Sequence, residues 1–433
     1  MRILPALCAG AWLLLLACGP KPVPTKETAS IPDTASTATP TPTPSPDESA
    51  AAPSADQLAT LARRVITTSL SIHPGDVVVV DGGKHTIDLM EALAIEGQKA
   101  GGLITMFLES DRVARAAFTE MPEKYLEQKP AYLADWFKHT TAYIGLPSAA
   151  DYKAIYADVP EAKLAKAAAA SQVIYEMLNA SPMRGAFVDY PSAAQAKQVG
   201  LPFAKYAEMR WAAIGADYQQ IASAAKALSA KLKGAKRVHV TSPGGTDLTF
   251  AVGKHSAIIN AGIVTPEAAK EKLILNRFIT LPGGTVAVAL QEASVAGVIA
   301  TPKDRCKFKP VRDARYEFAQ GTLTKATAKE GDACIQETLA AYGAPMKRLG
   351  AITIGLNPAS KVVEDGGADF RPPSAAGLVT LSLGDNQLLG GSNKIPGAVT
   401  FDLPVTRATV EIDGQAVVVD GKLTMAVVAS ATH

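Results

Sequence analysis

Apolar and polar residues follow one another in two different ways along the chain, and the change divides it near residue 235. Before that point, uninterrupted apolar runs such as 77–80, which lies between Asp76 and Asp81, alternate with segments of helical period. Runs of this kind are typical of strands buried on both faces of a parallel sheet. Strand 76–81, helix 86–100 and strand 103–108 form the first unit, and the order strand, helix, strand predicts a parallel pair.

A capping box marks the beginning of the folded region. Ser54 is followed three residues later by Gln57, and this pair predicts a helix from there to about Ser71. The rest of the first half is predicted to contain strands at 141–145 and 185–191 and helices at 161–179, 203–214 and 217–233.

From Arg237 onward the predicted strands are short, many alternate apolar with polar residues, and Gly-Gly and Asp-Gly turns separate them. This texture is typical of antiparallel sheet. The predicted strands are 237–241, 247–252, 285–290, 351–356, 378–383 and 410–419, with one helix at 332–342. The sequence therefore predicts an α/β protein with an N-terminal α/β domain containing a parallel sheet, residues 54–235, and a C-terminal, mostly antiparallel, strand-rich α+β domain, residues 236–433.

The first 53 residues have a different character. Residues 1–18 combine one positive charge, a short apolar run and a small residue before Cys18, which is the pattern of a secretory signal. Leu15-Leu16-Ala17-Cys18 resembles the bacterial lipobox, after which the cysteine becomes the lipidated first residue; cleavage by an ordinary signal peptidase is the alternative. Residues 18–53 are rich in Pro, Thr, Ser and Ala and are typical of an extended tether.

We therefore expect a signal peptide at 1–17, a lipid anchor on Cys18 and a location in the cell envelope, facing the periplasm or the surface. Gly19 rather than aspartate follows the cysteine, which favours the outer membrane. The anchor would be the chain's only contact with a membrane, because no later stretch approaches the length of a spanning helix. An oxidising compartment also permits a disulfide between Cys306 and Cys334.

Composition excludes two classes of protein. Hydrophobic residues make up 48% and charged residues 19%, so most of the chain can bury enough apolar surface to fold. This composition excludes a protein that is disordered over most of its length. The formal net charge is only +2, which gives nucleic-acid binding no electrostatic support. We expect no nucleic-acid partner.

A series of short motifs runs in order from about residue 57 to 425. In the first half these are Pro74-Gly75-Asp76, Tyr190-Pro191 and Gly245-Thr246-Asp247-Leu248, and in the second half Leu281-Pro282-Gly283-Gly284, Gly355-Leu356-Asn357-Pro358, Leu383-Gly384-Asp385-Asn386, Gly390-Gly391, Phe401-Asp402 and Val410-Glu411-Ile412-Asp413-Gly414. This series resembles the two-metal aminopeptidases of the aminopeptidase T and aminopeptidase S type. The resemblance implies removal of N-terminal amino acids by a pair of divalent ions held between carboxylates and histidines, and a homodimer.

The resemblance also implies where the metal ligands stand, and most of those positions carry other residues. Two glutamates and two histidines are expected at set distances from the motifs, whereas the chain has Thr285, Ala351, Thr380 and Thr400 there. Only Asp402 is retained. Because a lone carboxylate binds a divalent ion weakly, we expect no cofactor.

These residues lead to one hypothesis and two alternatives. The first is an aminopeptidase-like protein without catalysis that binds a peptide or another partner in the former substrate cleft. The second is an active aminopeptidase with two divalent ions on displaced ligands, drawn from Asp402, Asp385, Glu364 and Asp369. The third is a module that binds a small ligand or anion at the Gly82–His85 turn, where a strand meets a helix N-terminus.

Overall fold

The computed structural model describes residues 53–424, apart from 127, 129–130, 161–162, 165–166, 168–176, 307–308 and 396. The helices used below are α1 Ala55–Arg64, α2 Ile87–Lys99, α3 Asp111–Thr119, α4 Ala131–His139, α5 Tyr152–Tyr156, α6 Ala193–Val199, α7 Phe203–Ile214, α8 Tyr218–Leu232, α9 Ile274–Arg277 and α10 Asp332–Tyr342. The strands are β1 Val77–Gly83, β2 Leu103–Glu109, β3 Ala142–Gly145, β4 Arg184–Val188, β5 Val238–Thr241, β6 Asp247–Phe250, β7 Ile258–Asn260, β8 Phe278–Leu281, β9 Thr285–Ala289, β10 Ala296–Cys306, β11 Lys309–Ala319, β12 Thr322–Thr327, β13 Leu349–Gly355, β14 Val379–Gly384, β15 Thr400–Val405, β16 Thr409–Ile412, β17 Gln415–Val419 and β18 Lys422–Leu423.

The predicted signal peptide, Cys18 and nearly all of the predicted tether lie outside the described residues, and so does much of the predicted helix 161–179. The capping box is present: the Ser54 hydroxyl accepts the amide of Gln57, whose side chain accepts the amide of Ser54. In the part of the chain that the structure describes, no helix has the length and apolarity needed to cross a membrane.

The first sheet, sheet A, is parallel and has the strand order β2-β1-β3-β4-β8. Its central strand β1 pairs with β2 on one side and β3 on the other. The buried valines 78–80 explain this placement, because such a run can cover both faces of a central strand only when helices or another layer pack on each side. The predicted unit of strand, helix and strand is confirmed.

Sheet A is completed from beyond residue 236. Strand β8 pairs in parallel with β4, with Phe278 opposite Gly185 and Leu281 opposite Val188. The domain limits 54–235 and 236–433 stay predictions, but the sheets do not divide at residue 235. Phe278, Ile279 and Leu281 are all buried, because β8 is the last strand of sheet A and packs into its core.

Two antiparallel sheets form the second half. Sheet B has the order β12-β11-β10-β6-β5-β16-β17-β18, and sheet C has the order β15-β14-β13-β9-β7. One large core joins all three sheets, since Val80 of sheet A, Val240 of sheet B and Val288 of sheet C belong to the same buried cluster. The predicted fold class, a parallel α/β part with an antiparallel strand-rich part, is confirmed.

The longest hairpin of sheet B was not anticipated by the sequence pattern. Strands β10 and β11 pair in antiparallel fashion from Gly297 opposite Phe318 to Cys306 opposite Lys309. Cys306, at the end of β10, forms a disulfide with Cys334 of α10, 28 residues further along the chain. The predicted disulfide is confirmed, and it fastens the tip of the hairpin to that helix.

Candidate functional site

Sheet C brings the five positions of the implied metal site onto one of its faces. Asp402, Ser382, Ala351 and Ala289 stand opposite one another across β15, β14, β13 and β9. Residues that are opposite in antiparallel pairs, or two apart along one strand, share a face. By this rule the face, called here the small-residue face, carries Thr285, Ala287, Ala289, Ala351, Thr353, Thr380, Ser382, Thr400 and Asp402.

The opposite face of sheet C explains why the strands have this register. Val286, Val288, Ile352, Ile354, Leu381 and Leu383 alternate with the residues of the small-residue face and belong to the main core. A slip of one residue would expose all of these apolar side chains, so burial fixes which residues face the other way. The small-residue face is thus a consequence of the core on its reverse side.

The small-residue face is packed rather than open at its centre. Ala287, Ala289 and Ala351 form a buried cluster with Leu389, and Ile258 of β7 packs against this cluster. Ala351 is 4% exposed and Thr380 is 6% exposed. Where the family resemblance implies a glutamate at position 351, the space is therefore occupied by neighbouring alanines and Leu389, and Thr380, where it implies a histidine, is buried as well.

Asp402, the one retained ligand position, is engaged by its neighbour on β14. The Ser382 hydroxyl donates a hydrogen bond of 2.8 Å to Asp402 Oδ1, and the two residues are directly opposite in the strand pair. Threonine hydroxyls are neutral and alanine has no donor atom, so the side chains at the other four positions do not fit a divalent ion that is bound through carboxylates and imidazoles. The donor set on this face does not match a two-metal site.

The displaced ligands that an active enzyme would use are committed elsewhere. Asp385 accepts backbone amides from Gln387 and Ile395, which shape the turn after β14. Asp369 accepts hydrogen bonds from Arg371 and Arg305, each at 2.8 Å. Burial would raise the pKa of Asp369, but the two guanidinium groups hold it below its ordinary value.

Glu364 lies with Asp369 rather than with Asp402. Its carboxylate is 3.8 Å from the guanidinium of Arg371, the same side chain that binds Asp369. Throughout the described ranges, no three His, Cys, Asp or Glu side chains converge in a way that would hold a metal ion. The structure therefore does not bring Asp385, Glu364 and Asp369 to Asp402.

The motif Gly355–Pro358 has a structural role at the junction of the sheets. Asn357 is fully buried, and its amide nitrogen donates to the carbonyl oxygens of Ala213 and Gly283. Its side-chain oxygen accepts the amides of Ala359 and Ser360. All the hydrogen-bonding capacity of this amide holds loops together, which explains the motif without a ligand.

His85 lies at the turn where the sequence suggested an anion site. Both of its ring nitrogens are buried and have no hydrogen-bond partner in the described part of the chain. Burial lowers the pKa of His85, while the carboxylates of Asp111 and Asp189 act in the opposite direction. A neutral imidazole beside two carboxylates is a poor ligand for an anion, so the local charge disfavours that use of the turn.

Two acidic residues that the sequence did not single out stand at the end of sheet A. Asp81, near the end of β1, is only 4% exposed and accepts a hydrogen bond from the hydroxyl of Tyr143. Glu109 is the last residue of β2, and its negative charge acts on Asp81. The signal available in the sequence was the position of an acid directly after the apolar run 77–80.

Comparisons with known proteins agree with this architecture. The model of a family described as thermophilic metalloprotease (M29) matches residues 54–366. In structure the chain is similar to wild-type AmpT from Thermus thermophilus, with a TM-score of 0.67, 20% identity, and coverage of 86% of this chain and 99% of that chain. It is also similar to 2,5-dihydroxypyridine dioxygenase from Pseudomonas putida KT2440, with a TM-score of 0.57, 15% identity, and coverage of 87% and 99% respectively. No curated protein matches the chain significantly in sequence.

Proposed function

The chain belongs to the thermophilic metalloprotease family M29, and from this premise we propose that it binds peptides in the family's substrate cleft without cleaving them. The family is metal-dependent, as its name states. The observation that carries the proposal is the small-residue face of sheet C, where Thr285, Ala351, Thr380 and Thr400 occupy the positions of four implied ligands.

Chemistry supports a loss of metal binding rather than a weaker site. Paired divalent ions need several carboxylate and imidazole ligands to be held and to acidify a bound water. Asp402 alone, hydrogen-bonded to Ser382, supplies neither the charge nor the ligand count. Thr285, Thr400 and Asp402 at the edges of the face are half-buried, so these residues can still hydrogen-bond to a peptide backbone.

The cell envelope is the proposed place of action. The lipobox ending at Cys18 and the Pro-rich segment after it support a domain tethered to a membrane by a lipid on a flexible linker. Replacing Cys18 by Ala is expected to abolish incorporation of labelled palmitate and to release the protein from the membrane fraction. Unchanged labelling of the Cys18→Ala variant would contradict the anchor without affecting the binding proposal.

Metal content and aminopeptidase activity test the loss of catalysis. The full chain, incubated with zinc or cobalt chloride and desalted, is expected to retain no stoichiometric metal and to leave leucine p-nitroanilide intact. About two metal equivalents per chain, together with hydrolysis that a chelator abolishes, would overturn the proposal.

A restored ligand set provides the matched comparison. The variant Thr285→Glu/Ala351→Glu/Thr380→His/Thr400→His is expected to gain metal. The control Thr285→Gln/Ala351→Gln/Thr380→Asn/Thr400→Asn adds similar volume without carboxylates or imidazoles and is expected to gain none.

Peptide binding is tested by calorimetry with a defined set of tri- and tetrapeptides with free N-termini, and mass spectrometry shows whether the peptides are recovered intact. If none binds the wild-type chain, the peptide part of the proposal fails.

A further inference from the structure

The outer side of β2, called here the β2 edge, exposes large apolar side chains beside an open strand. Strand β2 is the first in the order of sheet A, and no strand of the described residues pairs with its outer side. Leu103, Met106 and Leu108 are 63%, 38% and 53% exposed. Ile95 on α2 and Val113 on α3, the helices before and after β2 in the chain, are exposed as well. Apolar surface gathered in this way is typical of an interaction surface.

The other sheet edges in the described part of the chain carry features that prevent strands from pairing there. Charged side chains, prolines, bulges and very short strands are the usual ones. Strand β12 has the exposed Lys325, β15 contains Pro404, and β7 and β18 have three and two residues. At the far edge of sheet A, most of β8 is buried. Strand β2 has none of these features before its last residue, Glu109, and its register with β1 is unbroken from Leu103 onward.

Alternate residues of β2 direct their backbone groups away from sheet A. The amide of Leu103 donates to the carbonyl oxygen of Asp76, which precedes β1, and the two strands are parallel. In a parallel pair the bonds of one strand fall on every second residue, so residues 103, 105 and 107 bond to β1. The outward N–H and C=O groups belong to the residues between and after them, Ile104, Met106 and Leu108.

We propose that β2 pairs with β2 of a second copy of this chain, in antiparallel direction and with the two-fold axis at Met106. In this register Ile104 is opposite Leu108 of the second copy, and Met106 is opposite Met106. Such residues exchange both backbone hydrogen bonds, so about six bonds use every outward group of the two strands. A shifted register leaves some of these groups without a strand partner. The two copies of sheet A then form one continuous sheet.

The side chains of β2 suit this register. Residues that are opposite in an antiparallel pair share a face of the sheet, so Ile104, Met106 and Leu108 of the two copies form one apolar row. Glu109, the one charged residue of β2, is opposite Leu103 of the second copy. The two Glu109 residues are therefore about 20 Å apart, and like charges do not meet. This match follows from the strand's own pattern around Met106, which favours a second copy over an unrelated extended peptide.

The length of β2 indicates how strong the association is. Strand β2 has seven residues, which span about 23 Å. An interface of this length lies at the small end of specific interfaces, near about 1,200 Å² in total, and we expect reversible dimers at micromolar concentration. The inference does not rest on the proposed function, because β2 lies in sheet A and the small-residue face lies in sheet C. Failure of either leaves the other intact.

Cross-linking of the full chain in a mild detergent tests the register. In Met106→Cys the two cysteine Cα atoms are about 5.5 Å apart across the axis, and a short bismaleimide is expected to join the copies. The control Leu103→Cys is more exposed, but its two cysteines are about 20 Å apart in this register, and we expect no more cross-linking than in wild type. Equal cross-linking of the two variants would overturn the inference.

Sedimentation velocity measures the association itself. Wild type is expected to shift from monomer to dimer between about 1 and about 100 µM. Met106→Lys is expected to weaken dimerisation by more than about tenfold, because the two lysines are opposite each other. The control Val419→Lys replaces an exposed apolar residue of β17 in sheet B and is expected to dimerise like wild type.

A mixture of Met106→Lys with Met106→Glu gives the sharpest comparison. Each variant alone places like charges across the axis, whereas the mixture pairs lysine with glutamate and is expected to recover the dimer. The inference is overturned if wild type stays monomeric over this concentration range, or if the mixture associates no better than either variant alone. It is also overturned if a synthetic peptide of residues 103–109 binds a chain that does not dimerise, since the β2 edge would then accept an extended peptide instead.

Discussion

Ser382 and Asp402 face each other across β14 and β15, and the Ser382 hydroxyl donates a 2.8 Å hydrogen bond to Asp402 Oδ1. The contact turns the last acidic group of the implied metal site into part of a strand-to-strand hydrogen bond. Asp402 therefore contributes to the stability of sheet C.

We expect Ser382→Ala to lower the free energy of unfolding by about 1–2 kcal/mol, because it removes a partly buried hydrogen bond to a carboxylate. Urea unfolding followed by circular dichroism measures the change. Ser223→Ala, which removes an exposed hydroxyl on α8 that bonds within its own helix, is the control and is expected to stay within about 0.5 kcal/mol of wild type. Equal losses in the two variants would contradict a role for the Ser382–Asp402 contact.

The pH dependence of stability reports on the ion pair of Asp76 with Arg184, which are 2.7 Å apart. Burial would raise the pKa of Asp76, but hydrogen bonds from Arg184 and Thr141 hold it below the ordinary value of 3.8. A lowered folded-state pKa gives stability that is present above 3.8 and is lost as the pH falls through the folded-state value.

We therefore expect the wild-type chain to lose more stability on acidification than Asp76→Asn does. Urea midpoints at a series of pH values below about 5 measure the difference between the two proteins. The control is Asp56→Asn, which changes an exposed acid in the first turn of α1. Parallel curves for wild type and Asp76→Asn would count against the assignment.

Arg371 lies in a buried ionic network with Asp304 and Asp369. All three side chains are about 5–6% exposed, and Arg371 donates to both carboxylates. We expect Arg371→Met to destabilise the protein by about 3–5 kcal/mol, since it leaves buried carboxylates without this partner. Arg407→Met breaks the exposed pair with Asp420 and is expected to cost at most about 1 kcal/mol; thermal unfolding of both variants makes the comparison.

The disulfide between Cys306 and Cys334 closes a segment with a sequence separation of 28 residues. Loop-closure entropy for a segment of that size predicts a loss of about 3–4 kcal/mol in Cys306→Ser/Cys334→Ser. Denaturant unfolding of the variant, and of wild type with and without a reductant, measures it. Complete alkylation of both thiols in unreduced, unfolded wild-type protein would show that the bond does not form.

The sequence predicted the elements whose signals are local. The valines before Asp81 predicted a doubly buried strand, Ser54 and Gln57 predicted a helix start, and the alternation in 285–290 and 378–383 predicted sheet strands. The predicted ends of helices 203–214 and 332–342 are confirmed. The family resemblance, carried by motif order over much of the chain, is confirmed by the match to residues 54–366.

The family resemblance predicts which positions of the implied metal site carry other residues, because each position is set by its distance from a motif, and this stays a prediction. The sequence did not predict that Ser382 would donate a hydrogen bond to Asp402, since residues 20 apart along the chain come together only through the β14–β15 register. Nor did it predict the pairing of β8 with β4, or the long hairpin β10–β11, whose strands carry many charged residues on their exposed side.

What the chain determined by itself was therefore its periodicities, its caps, its cysteine pair and the residues Thr285, Ala351, Thr380 and Thr400 at the positions where the family resemblance implies metal ligands. Tertiary structure alone decided that these positions share one face of sheet C, that Asp369 and Glu364 stand with Arg371 instead of Asp402, and that the charge of Glu109 acts on Asp81. The reason is that local preferences depend on neighbours in sequence, whereas the environment of a charge depends on which strands the burial of the core places side by side.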